Sequence, residues 1–250
     1  MLNRENSTEN PSIQIFMSRK KNVPILHWRI ILESSESEEI LRKEIIDYGL
    51  RSYNSGFVTE TEGNLSTRLS EDRFLVTPSH VPYEKRQVDD VVLLDGSGNV
   101  LKGTRKPTSE TRMHLAVYKA RPDVNGIVHS HPLYCTMLAV MGEPLRPILD
   151  EMLPYLGGII EVTQFAPSGS AEIASECVKS LGNRAAVLLA NHGNLCVGKN
   201  MSRAFQTAKY VEKYAQIYIQ VLSLNRVRQV PEERQKQQAP FYEYLKTIDW

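Results

Sequence analysis

The chain has 250 residues, long enough for one sizeable domain with its own core or for two small ones. Hydrophobic residues make up 41% and charged residues 24%, an ordinary globular balance that excludes disordered and fibrous classes. Thirty basic residues against 29 acidic ones leave a net charge of +1, so no cationic excess exists to neutralise nucleic-acid phosphates or an anionic membrane.

Asn3, Glu5, Asn6, Ser7, Thr8, Glu9 and Asn10 make a polar start with no apolar signal segment, and a cytoplasmic location is expected. Val23 to Leu32 reads as a strand or as an arm packed on a neighbour; His27 and Arg29 interrupt it, and it is too short to span a bilayer. Residues 1–35 are expected to form an N-terminal extension. Ser37 reads as a helix cap with Glu36 and Glu38 beside it. Ile40, Leu41, Ile45, Ile46 and Leu50 then follow helical spacing to about Tyr53, and Gly56 stops the run. Strands are predicted at Asn64–Leu69, Arg73–Thr77 and Asp90–Leu94, with a hairpin turn at Asp95–Gly98.

A helix is predicted over Ser109–Lys119, a strand over Gly126–His131 and a helix over Leu133–Met141, before Pro144 and Pro147 break the chain. A strand at Ile159–Thr163 leads to the turn Pro167–Ser170 and a helix over Ala171–Leu181. Ala185–Ala190 is continuously apolar and reads as a buried central strand, with Asn194–Val197 pairing beside it. The last long helix spans Ser202–Leu224, and residues 226–250 turn polar and charged, a C-terminal tail. One α/β domain is expected over 36–225. Cys135, Cys177 and Cys196 are widely spaced and odd in number, which reads as buried free thiols rather than a disulfide framework.

His129 and His131 are two residues apart on a strand, so both point to one face and can share a divalent ion. Such a pair is also found as plain polar surface. His192 closes the Ala185–Ala190 strand, where α/β proteins build sites, and Gly193 beside it permits close approach; a turn histidine is the alternative. His114 reads as a core histidine or as one packed behind the site. Glu110 begins a helix whose hydroxyls Thr108 and Ser109 face one spot, a geometry that favours an anion. Thr61-Glu-Gly63-Asn64 and Thr77-Pro-Ser79 read as further anion-binding turns, with a plain loop as the alternative for each of the three segments taken alone.

Gly63-Asn-Leu-Ser66, Thr77-Pro-Ser79, Pro107-Thr-Ser-Glu110, His129-Ser-His131 and Asn191-His-Gly193 occur in the order of the class II aldolase/adducin family, which the chain resembles from about residue 37 to 222. The resemblance implies a three-layer α/β/α fold around a mostly antiparallel sheet. It implies a homotetramer with active sites between subunits. It implies a zinc ion, or manganese or cobalt, held by His129, His131 and His192. Glu110 matches an acid that ligates the resting metal and then serves as the base. Gly63, Asn64, Ser79, Thr108 and Ser109 match phosphate-contacting positions, with Thr61 nearby. The implied reaction splits a ketose 1-phosphate, fuculose 1-phosphate or a 5-deoxypentulose 1-phosphate, into dihydroxyacetone phosphate and an aldehyde through a metal-stabilised enediolate. Epimerase, dehydratase and decarboxylase chemistries share that site, and adducin-like scaffolds share the fold without catalysis.

Three departures stand out. His80 replaces the glycine usual after Thr-Pro-Ser. Where the family's fuculose-phosphate enzymes carry a tyrosine, this chain has Asp150 and Glu151, either of which is a candidate for proton transfer, with Asp150 put first and a solvated acidic loop as the alternative. Tyr242 and Tyr244 are candidates for a tail tyrosine that reaches the site.

Overall fold

The computed structural model describes residues 25–248, with side chains from residue 36. The chain divides into units 1–35 and 36–250. The polar stretch Asn3–Asn10 lies outside the described residues. Helix α1 covers Ile25–Asn54. This corrects two expectations: Ile25–Leu32 is helical rather than a strand or arm, and Ser37 lies inside the helix rather than at its start. No proline or glycine interrupts the sequence between Pro24 and Gly49, so propensity alone carries the helix through the acidic Ser35–Glu38 segment.

Seven strands follow: β1 (Asn64–Ser70), β2 (Arg73–Val76), β3 (Val92–Asp95), β4 (Val100–Lys102), β5 (Gly126–Ser130), β6 (Ala186–Leu189) and β7 (Gly193–Gly198). Interleaved are helices α2 (Thr111–Ala120), α3 (Leu133–Met141), α4 (Met152–Leu156), α5 (Ala171–Leu181), α6 (Met201–Ser223) and α7 (Glu232–Thr247). The strands form one sheet in the order β4-β3-β2-β1-β5-β7-β6. Every ladder is antiparallel.

Side chains alternate across this sheet with period two. Leu65, Leu75, Val128, Leu188 and Cys196 pack with Ile45 of α1, Leu138 of α3 and Phe205, Ala208 and Tyr214 of α6. Phe74, Ile127, Val187, Leu189 and Leu195 face the other way, onto Met113 and Val117 of α2 and Ile173 and Cys177 of α5. Each fully buried Leu, Ile or Val contributes roughly 1.5–3 kcal/mol. The two clusters make the expected three-layer α/β/α fold. All three cysteines are free and buried.

Three further expectations change. Ile159–Thr163 is no ladder strand: Ile160 bridges Leu145 and Val162 bridges Leu188. β6 is buried but ends the sheet instead of lying at its centre. Its outer edge is covered by backbone, Leu188 N donating to Glu161 O at 2.9 Å and Thr163 N to Leu188 O at 2.9 Å. A continuous apolar run reports burial of both faces and does not distinguish a central strand from a covered edge. The polar tail contains α7, whose Tyr242 and Leu245, three residues apart, are buried. Tyr242 packs against Gly157 at the end of α4, where a Cβ would come within 2.6 Å of the phenol ring.

Candidate metal centre

β1 and β5 pair so that Asn64 sits opposite His129. His129 shares the face of Ile127 and is fully buried beneath α2. His131 follows the end of β5, its N–H donating to Phe57 O at 2.8 Å. His192 sits in the β6–β7 turn, its N–H donating to Leu189 O at 3.0 Å. Gly193 presses on the other strand end: a Cβ there would stand 2.4 Å from Ser130 O and 2.6 Å from His131 Cδ2, so only glycine brings the turn this close.

The three imidazoles meet with ring centroids 4.9, 4.7 and 4.8 Å apart. Each offers a ligand nitrogen, and these nitrogens lie within 4.8 Å of one another. Glu110 precedes α2 and reaches into the same spot: Oε2 is 2.7 Å from His129 Nε2 and Oε1 is 3.7 Å from His192 Nε2. Asn64 Nδ2 donates to Oε2 at 3.0 Å and Ser168 Oγ donates to Oε1 at 2.9 Å.

The hydrogen bonds fix the histidine tautomers. Nδ1 of His129 donates to the carbonyl of Asn194 at 2.7 Å, since a carbonyl can only accept. Nδ1 of His131 faces the Glu62 carboxylate at 3.2 Å and donates likewise. Nε2 of His129 then faces Nε2 of His131 across 3.1 Å and Glu110 Oε2 across 2.7 Å, a spot that holds either a proton shared with Glu110 or a cation. Three imidazole nitrogens within 4.8 Å of one another with a carboxylate alongside are a donor set that fits a divalent metal accepting imidazole nitrogen.

Protonation is consistent with that role. Burial opposes the charge of Glu110, yet His129, Asn64 and His192 outweigh it and hold the carboxyl well below the usual range. Burial, with His129 adding, pushes His192 down to about 4, and burial also lowers His131. Both are therefore neutral, as ligands must be. At His129 burial opposes the charge but Glu110 outweighs it and raises the group, so a proton and a metal ion compete for Nε2.

The three turns expected to bind an anion come together beside this cluster. Thr77 Oγ1 accepts from Leu65 N at 3.1 Å, tying the second turn to β1. Thr108 N donates to Thr77 O at 3.1 Å and Ser79 N to Lys106 O at 2.9 Å, tying it to the third. Ser79 Oγ donates to Pro107 O at 3.1 Å, and Thr108 Oγ1 accepts from Glu110 N at 3.3 Å. Thr61 and Ser109 are exposed on their turns. Gly63 has φ +65, and a Cβ would lie 2.5 Å from Val58 Cγ1 and 2.8 Å from His129 O. His80 is exposed with φ +57, the left-handed region that explains why glycine is usual there.

Other candidates lie elsewhere. Asp150 makes a bidentate pair with Arg234, both bonds 2.7 Å, which holds its carboxyl below the usual range. Tyr242 is buried under α4, its hydroxyl donates to Asn183 O at 2.8 Å, and burial pushes its pKa up. Tyr244 is exposed on α7, stacked on Phe241. His114 is fully buried, with Nδ1 2.6 Å from Ser66 Oγ.

Three contributors escaped the sequence reading. Glu62 reads in the sequence only as one residue of the Thr61–Asn64 turn. Ser168 lies in a turn read as a simple helix start, though its small residues let Gly169 come within contact of Ser109 O. Asn194 acts through its carbonyl, which no side-chain pattern can reveal.

Comparison with known proteins agrees with this architecture. Residues 43–219 match the model of the class II aldolase and adducin N-terminal domain. A 5-deoxy-D-ribulose 1-phosphate aldolase of Bacillus thuringiensis is 34% identical over 203 residues, 81% of this chain and 95% of that protein. An L-fuculose phosphate aldolase of Escherichia coli O6:H1 is 36% identical over 185 residues, 74% of this chain and 85% of that protein. A solved L-fuculose 1-phosphate aldolase superposes with a TM-score of 0.78 at 33% identity, covering 81% of this chain and 96% of that one. The chain belongs to the class II aldolase and adducin family.

Proposed function

We propose that this chain is a metal-dependent aldehyde-lyase that cleaves a ketose 1-phosphate into dihydroxyacetone phosphate and an aldehyde. The observation that carries the reading is the convergence of His129, His131 and His192 with an ionised Glu110, next to three turns bonded into one wall. Relatives named for 5-deoxy-D-ribulose 1-phosphate and L-fuculose phosphate support substrates of that class.

His129, His131 and His192 would hold the ion, with Glu110 as a fourth ligand at rest. When bound, the ion supplies Lewis acidity for the charge that develops on the substrate's ketone oxygen. Glu110 takes the proton from the hydroxyl next to the bond being broken. The O–H electron pair becomes the aldehyde C=O, the carbon–carbon bond breaks, and its electrons pass to the ketone side; a proton then returns to that carbon. Gly63, Asn64, Thr61, Ser79, Thr108 and Ser109 hold the phosphate and so fix the reacting end. No lysine is required for a Schiff base.

The imidazole-rich donor set favours zinc, with manganese and cobalt as alternatives. Residues 36–225 carry the catalytic domain, flanked by the extension 1–35 and the segment 226–250. A homotetramer is supported by the outer face of α3, where Leu133, Met137, Val140 and Met141 are exposed together. Tyr244, exposed on α7, is the tail tyrosine able to serve a neighbouring subunit. A cytoplasmic location is supported by three free thiols, and no helix among the described residues is long and apolar enough to cross a membrane. Near-neutral charge argues against nucleic acid as a partner.

The test is a screen of phosphorylated ketoses against protein loaded separately with zinc, manganese or cobalt. Release of dihydroxyacetone phosphate with an equimolar aldehyde is expected. An isomerised sugar without fragmentation would replace this reading with an epimerase.

A further inference from the structure

His129 and His131 are oriented by different means. His129 Nδ1 uses a backbone carbonyl, Asn194 O, at 2.7 Å. His131 Nδ1 uses a side chain, Glu62 Oε2, at 3.2 Å. The other oxygen of Glu62 accepts from Thr59 N at 3.0 Å and Thr59 Oγ1 at 2.8 Å. The carboxylate is therefore pinned at both ends, although it stands at the rim of the site. The chain beyond it stays on the cluster. Gly63 presses on His129 O, and Asn64 holds Glu110 at 3.0 Å. Three consecutive residues thus touch His131, the backbone of His129, and Glu110.

We propose that Glu62 is a positioning residue that fixes His131 as an Nε2 metal donor and couples the metal centre to the Thr59–Gly63 turn. The inference rests on the metal-centre reading above. An imidazole that donates Nδ1–H to a carboxylate keeps its Nε2 lone pair for the ion, is held in one ring orientation, and becomes a stronger base. The same contact accounts for an acid on a turn assigned to phosphate. A solvated carboxylate there would repel the substrate, whereas one bonded to His131 and Thr59 directs its charge toward the cation. The competing role is local: Glu62 merely closes the Thr59–Glu62 turn, and the His131 contact is incidental.

Metal affinity separates the two. Purified full-length protein, Glu62→Ala, Glu62→Gln and His131→Ala are stripped of metal and titrated with zinc and cobalt against a chromophoric chelator. Glu62→Ala is expected to bind about 10–100-fold more weakly and to shift the visible bands of the cobalt form. Glu62→Gln, whose amide oxygen still accepts from Nδ1, is expected to lose less. A turn-closing role would lower thermal stability while leaving affinity and cobalt spectrum unchanged, and that result in both Glu62 variants overturns the proposal. Circular dichroism confirms folding, and Glu62→Gln decides the matter if Glu62→Ala does not fold. Unchanged affinity in His131→Ala would instead overturn the metal-centre reading itself.

Discussion

Asn64 and Glu110, 46 positions apart, meet through a 3.0 Å hydrogen bond from Nδ2 to Oε2, and the same oxygen lies 2.7 Å from His129 Nε2. The acid is thus presented to the histidines ionised and aimed. Glu110→Gln keeps the shape and removes the base. It should retain much of its metal while kcat falls about 10²–10⁴-fold. Metal content by atomic emission, measured with kcat on the same preparation, checks both halves. Normal turnover would rule Glu110 out as the base. His129→Ala removes a fully buried ligand and should lose both metal and activity; full activity in metal-free protein would sink the assignment.

The proposed phosphate wall depends on a glycine. Gly63 has φ +65 with no room for a methyl group beside Val58 and His129 O. Gly63→Ala adds left-handed strain of roughly 1–2 kcal/mol and pushes the turn off β5. The expected outcome is a lower Tm and a raised KM for the phosphorylated substrate. A variant with wild-type KM and Tm would show that the turn neither requires the glycine nor serves the phosphate.

The histidines, Glu110 and the turns were legible because strand periodicity, helix starts and glycine placement are local, and because the motifs occur in the family's order. The antiparallel three-layer fold came through the same motifs. What local signals missed was set by tertiary contact. α7 hides in a charged tail because only Tyr242 and Leu245 reach the core, and Pro240 breaks its pattern. β6 read as central because its edge is covered by the Glu161–Thr163 backbone, which carries no pattern of its own. Ser168 and the Asn194 carbonyl act through positions that only folding brings to Glu110 and His129.

The two tail tyrosines separate cleanly. Tyr242 donates to Asn183 O and is buried, so Tyr242→Phe should lose about 1 kcal/mol of stability and leave kcat unchanged. Tyr244 is exposed, and on the proposed role in a neighbouring subunit Tyr244→Phe should keep its Tm and lower kcat. Paired melting curves and kinetics decide between them. Equal kinetic loss in Tyr242→Phe would restore that phenol as a proton-transfer candidate.

His114 lends the fold a sensitivity to acid. It is fully buried on the inner face of α2 against Ser66 of β1, and its Nε2 has no partner among the described residues. Burial, with His129 adding and Glu110 opposing, pushes it from 6.5 down to about 3. The unfolded chain therefore takes up a proton below pH 6.5 that the folded chain refuses until about pH 3. Folding stability is complete above the upper value and falls as pH drops through this window, by about 1.4 kcal/mol per pH unit from this one group. His114→Asn removes the titrating group while keeping a polar atom near Ser66 Oγ. The metal-site histidines are present in both proteins, so the difference between the curves reports position 114 together with its coupling to His129 and Glu110. Urea unfolding at pH 7, 6, 5 and 4 should therefore show a shallower loss of stability for His114→Asn than for the wild type. Parallel curves would mean that His114 is not held neutral in the folded chain.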